Sequence, residues 1–378
     1  MAGKLILLMP RIILTATSDL NYDRRMQRIA GAFVEEGWEV LLLGRRLPSS
    51  EPLDRRPFAQ KRLNCFFRRG KLFYLEFQIR LFLFLLFNRF DWGWAADLDT
   101  ILPHWLLGKL RKYSWVYDAH EYFTEVPELQ NRILSKRIWS LVARCCIPAA
   151  DEVFTVGQAL AGVLSERYGR PFRVLRNVPE RLLPVPEPRC PLSDRVVLLY
   201  QGALNAGRGL PVLLEAMVDL HEAELWLVGE GDLSSALRQM SADLGLEDRV
   251  KFWGYVLPSD LPALSLKADI GLDLLDASSL NYFYSLSNKS MDYLQAGLPS
   301  LEMDFPEYRL LHREWGVYYL LGELKPATVV VAVRKLLADG ALYERLSRRA
   351  LRAAEKLHWE AEKAGFLSIF AERPENKY

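Results

Sequence analysis

Strand-like apolar runs alternate with helix-like runs in two successive series, and a proline-rich stretch separates them. The first series opens with RIILTAT, the helical YDRRMQRIAGAFVEEG and the strand EVLLLG. It continues through an apolar helix beginning at 72, DWGWAAD, TILPHWLLGKLRKY, SWVYDA, a helix over 131–147, EVFTV, QALAGVLSERYG and FRVLR. Residues 177–194 then crowd together Pro179, Pro184, Pro186, Pro188 and Pro191. Proline lacks an amide donor and fixes φ, so this stretch is neither a helix nor a central strand. After it the pattern restarts with VVLLYQG, LPVLLEAMVDL, ELWLVG, LSSALRQMSADLG, VKFWG, SDLPALSLKA and IGLDLL. Such alternation predicts parallel sheets with crossover helices. The expected fold class is α/β, with two Rossmann-like, doubly wound domains facing across a cleft. The expected organisation is a first domain over 1–178, a linker over 179–194, a second domain over 195–350 and a C-terminal helical segment over 351–378. A chain of 378 residues is long enough for both.

A net charge of +2 gives no reason to expect nucleic acid as a partner. The charge is uneven locally. Arg45, Arg46, Arg55, Arg56, Lys61, Arg62, Arg68, Arg69 and Lys71 stand against only Glu51 and Asp54 in the same stretch. This is either a solvated loop or a patch facing anionic lipid or an anionic acceptor. The segment LFYLEFQIRLFLFLLFNRF (72–90) carries Glu76, Gln78 and Arg80, and its longest wholly apolar run, 81–87, is too short to span a bilayer. It reads as a helix packed in a core or lying partly on a membrane surface. The N-terminal MAGKLILLMPRIILTATSD is broken by Pro10-Arg11 and reads as a buried strand, not a signal peptide. Cys65, Cys145, Cys146 and Cys190 match no zinc spacing, and reduced thiols in a cytoplasmic protein are expected. With five scattered His and no HExxH, no metal site is expected.

Three junctions in the second series have the composition of an anion site. In YQGALNAGRGLPVLLEA, Gly202, Gly207 and Gly209 allow tight backbone turns, and Arg208 precedes a helix N-terminus. Backbone amides and the helix dipole favour an anion there; the bland reading is a solvated Arg. In LVGEGDL, Gly229 follows a strand, and G-x-G alone is mostly turn chemistry. In SLSNKSMDYLQAGLP, Ser285, Ser287 and Asn288 are N-cap candidates, with Lys289 and Asp292 on one helix face. That pair is either a surface ion pair or a phosphate cation beside an acceptor for a ribose diol. In the first series, YDAHEYF places Asp118, His120 and Glu121 at a strand's C-terminal end, where ligands of such sheets bind. No G-x-S-x-G elbow or P-loop occurs.

The run from YQGALNAGRGLPVLLEAM through LWLVGEGD and DRVKFWGYVLPSDLPALSLKADIGLDLL to SNKSMDYLQAGLPSLEMD resembles the C-terminal domain of GT-B glycosyltransferases. NYDRRMQRIAGAFVEEGWEV, DLDTILPHWLLGKL, YDAHEYF and ADEVFTVGQALAGVL resemble the N-terminal domain of the same large retaining group 1 family of bacterial mannosyl- and glucosyl-type transferases. The resemblance implies a metal-independent enzyme without cofactor. It would move a sugar from a UDP- or GDP-type donor to a saccharide or lipid-linked acceptor in cell-envelope polysaccharide or glycolipid assembly. It implies that Arg208 and Lys289 bind the donor diphosphate and that Asp292 grips the ribose. The base would lie along Phe252, Gly254 and Tyr255, and His120 would stand near the donor sugar. Asp23, Asp118 and Glu121 are acceptor-side candidates. The last helix would cross back to the first domain. The chain departs from the family at Ala203, where a second basic residue is common, and at Tyr284, where the other acid of an eight-residue pair stands. It also has SDLNYD in place of a glycine pair after the first strand. An epimerase or phosphorylase of the same fold, or a degenerate nucleotide-binding scaffold subunit, are the competing readings. The expected location is cytoplasmic, peripheral at the inner face of the membrane through residues 45–90.

Overall fold

The computed structural model describes residues 9–189 and 195–371. The sequence reading of residues 1–8, and Cys190, lie outside these. The described residues of Met1–Val156, Leu160–Arg176 and Lys363–Tyr378 form one compact unit, and those of Gly157–Ala159 and Asn177–Glu362 a second.

The first unit is built on seven parallel strands: β1 (Arg11–Thr15), β2 (Glu39–Arg45), β3 (Ala59–Leu63), β4 (Trp92–Ala96), β5 (Ser114–Ala119), β6 (Glu152–Thr155) and β7 (Arg173–Val174). Their order is β3-β2-β1-β4-β5-β6-β7. The second unit has β8 (Val196–Gln201), β9 (Ala223–Val228), β10 (Val250–Gly254), β11 (Ile270–Asp273), β12 (Ser300–Met303) and β13 (Tyr318–Leu321), in the order β10-β9-β8-β11-β12-β13. All the pairings are parallel. Central parallel strands are covered on both faces, which is why β1, β11 and β12 are buried almost end to end and read as continuous apolar runs.

The basic stretch 45–71 is not simply a loop. It contains the edge strand β3, whose AQKRL carries no apolar run because an edge strand is half solvated. Several of its cations are used inside the fold: Arg62 pairs with the buried Asp19, and the Arg45 guanidinium lies 3.7 Å from the Phe73 ring centre. The expected patch is correspondingly smaller. The helix Gly70–Phe87 buries Phe73, Phe77, Leu81 and Leu85, one residue per turn. Its other face leaves Leu72, Leu75, Ile79, Leu83 and Phe87 exposed, Phe87 at 81%. One face of this segment is thus packed in the core, and the other is an exposed apolar face. Among the described residues no helix is long and apolar enough to cross a membrane. Cys65, Cys145 and Cys146 are free thiols.

The C-terminal stretch, expected to be a helical segment over 351–378, is made of two helices, Gly340–Ala354 and Trp359–Ala371. From Lys363 onward it belongs to the first unit, where Phe370 packs against Phe33 at 5.1 Å and Trp92 at 5.0 Å between ring centres.

Candidate active site

In each unit the strand order reverses once, between β1 and β4 and between β8 and β11. Connections from neighbouring strands diverge there and leave a crevice beyond their C-terminal ends. The loop after β8 is Gly202–Gly209, and the helix that follows β11 and a short helical turn is Asn288–Gln295. The reversal in the second unit therefore brings together two of the three segments singled out in the sequence.

Backbone geometry explains the glycines. Gly202, Gly207, Gly209, Gly229 and Gly254 all have positive φ. A Cβ on Gly229 would lie 2.0 Å from the Gly202 carbonyl oxygen, and one on Gly209 would lie 2.2 Å from that of Leu274. The Gly202 amide donates to Val228 O and the Gly229 amide to Gly254 O, each at 2.8 Å. The three glycine turns thus stack edge to edge, and only a missing side chain allows that approach. Gly209 also caps the helix Leu210–Asp219. Tyr255 stands exposed beside Gly254, whereas the Phe252 ring is covered by Arg238 at 4.5 Å.

Arg208 reaches over the Tyr282 ring at 5.1 Å, and its Nε is buried with no hydrogen-bond partner among the described residues. A buried guanidinium N–H without an acceptor is costly unless a ligand supplies one. Lys289 comes from the first turn of the neighbouring helix, and its Cε lies 3.6 Å from where a Gly202 side chain would begin. It forms no pair with Asp292. Its Nζ donates instead to Asp273 Oδ1 at 2.6 Å, and Asp292 accepts from Gln201 Nε2 at 2.8 Å. Burial pulls the Lys289 ammonium down, but the Asp273 carboxylate more than offsets this and holds it above the ordinary lysine range. Ser287 caps the helix by accepting from the Ser290 amide and also donates to Asp273. Asn288 accepts from Asn177 at 2.9 Å. Tyr284 ends the short helix Leu280–Phe283 and lies edge-on to Phe283.

The first unit gathers a second cluster at its own reversal. His120 Nε2 is 3.0 Å from Asp118, and Nδ1 is 3.5 Å from Asp97. Asp118 is fully buried, held by Arg25 at 2.7 Å and by the Trp94 indole N–H at 3.3 Å. It is therefore not open to a direct ligand contact, which corrects its assignment as an acceptor-side candidate. Asp23 is likewise engaged structurally: it caps the helix Arg24–Glu35, accepting from the Met26 amide and from Ser18. Glu121 stays half-buried at the cluster and raises the carboxyls of Asp97 and Asp99. Burial opposes charge on His120, but Asp97 and Asp118 raise it to about 9. Burial pushes Asp97 up to about 8 and Asp99 up to about 7. Asp118, held ionised by Arg25, favours the protonated form of His120.

Asp97 has φ 58° and ψ 174°, the one positive-φ non-glycine among the described residues. Such a backbone costs about 1–3 kcal/mol and persists where surrounding bonds over-determine it. Here Asp97 Oδ1 takes the His120 amide at 2.9 Å, and the Asp97 amide donates to Asp118 O at 2.9 Å. Asp97, Asp99, Arg25, Asp273 and Glu302 were missed from sequence. The rule that found Asp118, an acid at a strand's end, applies equally to AADLD after β4. For Asp273 and Glu302 the signal was an acid inside an apolar strand.

The family comparison decides what carries this geometry. The model described as "Glycosyl transferases group 1" matches residues 195–339, and that described as "Glycosyltransferase Family 4" matches residues 23–178. The chain belongs to the group 1 glycosyltransferases of GT-B fold. It is 28% identical over 158 residues to the lipopolysaccharide core biosynthesis glycosyltransferase LpsD of Rhizobium meliloti, covering 41% of this chain and 43% of that protein. The chain spans about half the length of the curated relatives it matches. In fold it is similar to sucrose-phosphate synthase from Thermosynechococcus elongatus, with TM-score 0.78, 15% identity and coverage of 96% and 98% of the two chains. It is also similar to Anabaena Alr3699/HepE in complex with UDP-glucose, with TM-score 0.75, 15% identity and coverage of 96% and 100%. Each matched half carries one cluster of polar and charged residues, placed where its own strand order reverses.

Proposed function

We propose that this chain is a retaining glycosyltransferase that moves a sugar from a nucleoside-diphosphate sugar to a saccharide or lipid-linked acceptor in cell-envelope glycolipid assembly. The observation that carries the reading is Arg208, whose buried Nε has no partner among the described residues, near the Lys289 ammonium at a glycine turn. Two cations and a helix N-terminus on one spot match a diphosphate, and they match it best as negative charge builds on the leaving group. Asp292, half-buried on the same helix, suits the ribose diol. His120, as an imidazolium, suits hydrogen bonding to a sugar hydroxyl, and a same-face displacement needs no protein base. These cations do the work of Mg²⁺, so no metal is required. LpsD is named for lipopolysaccharide core biosynthesis, and the HepE complex holds UDP-glucose, which supports a sugar nucleotide and an envelope acceptor. A panel of UDP-, GDP- and ADP-sugars tests the reading: at least one raises the melting temperature and is consumed. If none binds and none turns over, the proposal fails.

The acceptor reading extends to a membrane surface. The exposed face of the helix Gly70–Phe87 is joined through Tyr74 and Trp139, 5.4 Å between ring centres, to the helix Ile133–Cys146. The latter exposes Ile133, Leu134, Ile138 and Leu141 between Arg132, Arg137 and Arg144. Apolar side chains interleaved with exposed Arg suit an anionic bilayer surface, where each large buried side chain stabilises by about 1.5–3 kcal/mol. The double substitution Leu75→Glu and Ile138→Glu is expected to weaken binding to anionic vesicles at least about tenfold while leaving nucleotide binding intact. Unchanged co-sedimentation would remove this surface from consideration.

A further inference from the structure

Asp273 on β11 and Glu302 on β12 are register partners on adjacent parallel strands. Partners in a parallel pair project to the same face of the sheet. Both carboxyls are buried, at 1% and 0% exposure, and among the described residues a single cation is bonded to Asp273 and none to Glu302. That cation is Lys289, 6% exposed, whose Nζ is 2.6 Å from Asp273 Oδ1. Asp273 Oδ2 accepts from Tyr308 at 2.7 Å and from Ser287. Glu302 Oε1 accepts from Ser300 at 2.9 Å, and its Oε2 is buried with no partner among the described residues. Two carboxylates side by side in an apolar interior cannot both ionise against one ammonium.

We propose that Asp273 and Glu302 form a single positioning device for Lys289, two carboxyls carrying one negative charge between them. The proposal rests on the reading of Lys289 as a diphosphate ligand. Its physical content is substitution: whichever carboxyl is ionised holds the ammonium charged and in place, and the other keeps its proton. Burial keeps Glu302 far above the usual carboxylate range, while Asp273, despite its own burial, is lowered by Lys289 and its hydroxyl donors. The other groups facing the triad do not supply the charge. Burial raises Tyr200 on β8, Tyr293 on the same helix as Lys289, Tyr308 on the helix Pro306–Trp315 and Tyr318 on β13, so all four stay neutral phenols. Arg208 adds a second positive charge, which opposes protonation of Lys289. An ammonium has three N–H groups, so Lys289 can keep its carboxylate bond and present two donors to a phosphate.

If Asp273 is removed, the neighbouring Glu302 releases its proton to solvent and becomes the counter-ion. The losses are therefore expected to be strongly non-additive. Asp273→Asn and Glu302→Gln each weaken UDP binding about twofold or less, and the double variant weakens it about thirtyfold or more, well beyond the product of the two single losses. A second readout needs no donor. In the ligand-free protein, the Lys289 side-chain NMR signal remains that of an ammonium to high pH in both single variants, and titrates about two units lower in the double variant. Additive losses, or Asp273→Asn alone matching the double variant, would overturn the proposal. If UDP fails to bind even the parent chain, the diphosphate reading fails, and the Lys289 titration still judges the carboxyl pair. A control removes the buried charge as well and so tolerates the loss of its partner. In a Lys289→Met background, Asp273→Asn shifts UDP affinity by less than about twofold; a larger shift means that Asp273 acts by another route.

Discussion

Arg208→Ala and Lys289→Ala each lower donor turnover about 10²–10³-fold, the range for removing one preorganised charge at a developing anion. The two variants differ in stability, and that difference makes the expectation sharp. Arg208 is stacked on Tyr282 and forms no ion pair among the described residues, so its loss leaves no buried charge behind. Its melting temperature stays within about 2 °C of the parent. Lys289 neutralises the buried Asp273, and breaking such a pair from one side costs about 3 kcal/mol or more. For a unit of this size that is a fall of about 6–12 °C. Steady-state kinetics with the accepted donor and a thermal melt measure both. Retained turnover in both variants removes the diphosphate site from the second unit. Equal melting temperatures remove the buried ion pair.

Gly229→Ala is expected to abolish nucleotide binding and to destabilise the second unit by about 4 kcal/mol, at the upper end for single substitutions. Its φ of +137° lies where a side chain is strained, and the new Cβ would start 2.0 Å from the Gly202 carbonyl oxygen. Both groups are backbone, so no flexible chain end can move aside. Relief requires the Gly202–Gly209 loop to move, and Arg208 moves with it. Gly245→Ala is the control. It also has positive φ, +66°, but nothing lies within 4 Å of its Cβ, and about 1 kcal/mol is expected. Chemical denaturation and titration with UDP separate the two cases. Equal effects at the two glycines would mean that turn conformation alone, and not the close approach of the loops, sets the cost.

The alternation of elements and the ends of β5, β8 and β11 were legible because they are local properties. Apolar runs record burial on both faces, and a strand's last residue is visible from the run that precedes it. His120, Arg208 and Lys289 were singled out in this way. β3 escaped because an edge strand is not buried on both faces and so leaves no apolar signature. The break after Ala354 escaped because mixed charge and an apolar stripe continue through it.

The ion pair between Lys289 and Asp292, one of the two readings that their spacing allowed, shows where local reasoning ends. Helical spacing puts them on one face, but the partners come from elsewhere: Asp273 takes the ammonium, and Gln201 takes the Asp292 carboxylate. Likewise Asp118 read as a ligand contact because it ends a strand, while Arg25, far away in the chain, encloses it. The sequence by itself determined the two-unit α/β architecture, the glycine turns and the residues able to meet a phosphate, since spacing and residue type are carried by the chain. Only the tertiary structure decided which charges meet. Strand order and parallel register set side by side Asp273 and Glu302, groups that no local period relates, and in a dry interior the nearest neighbour governs the charge state of each.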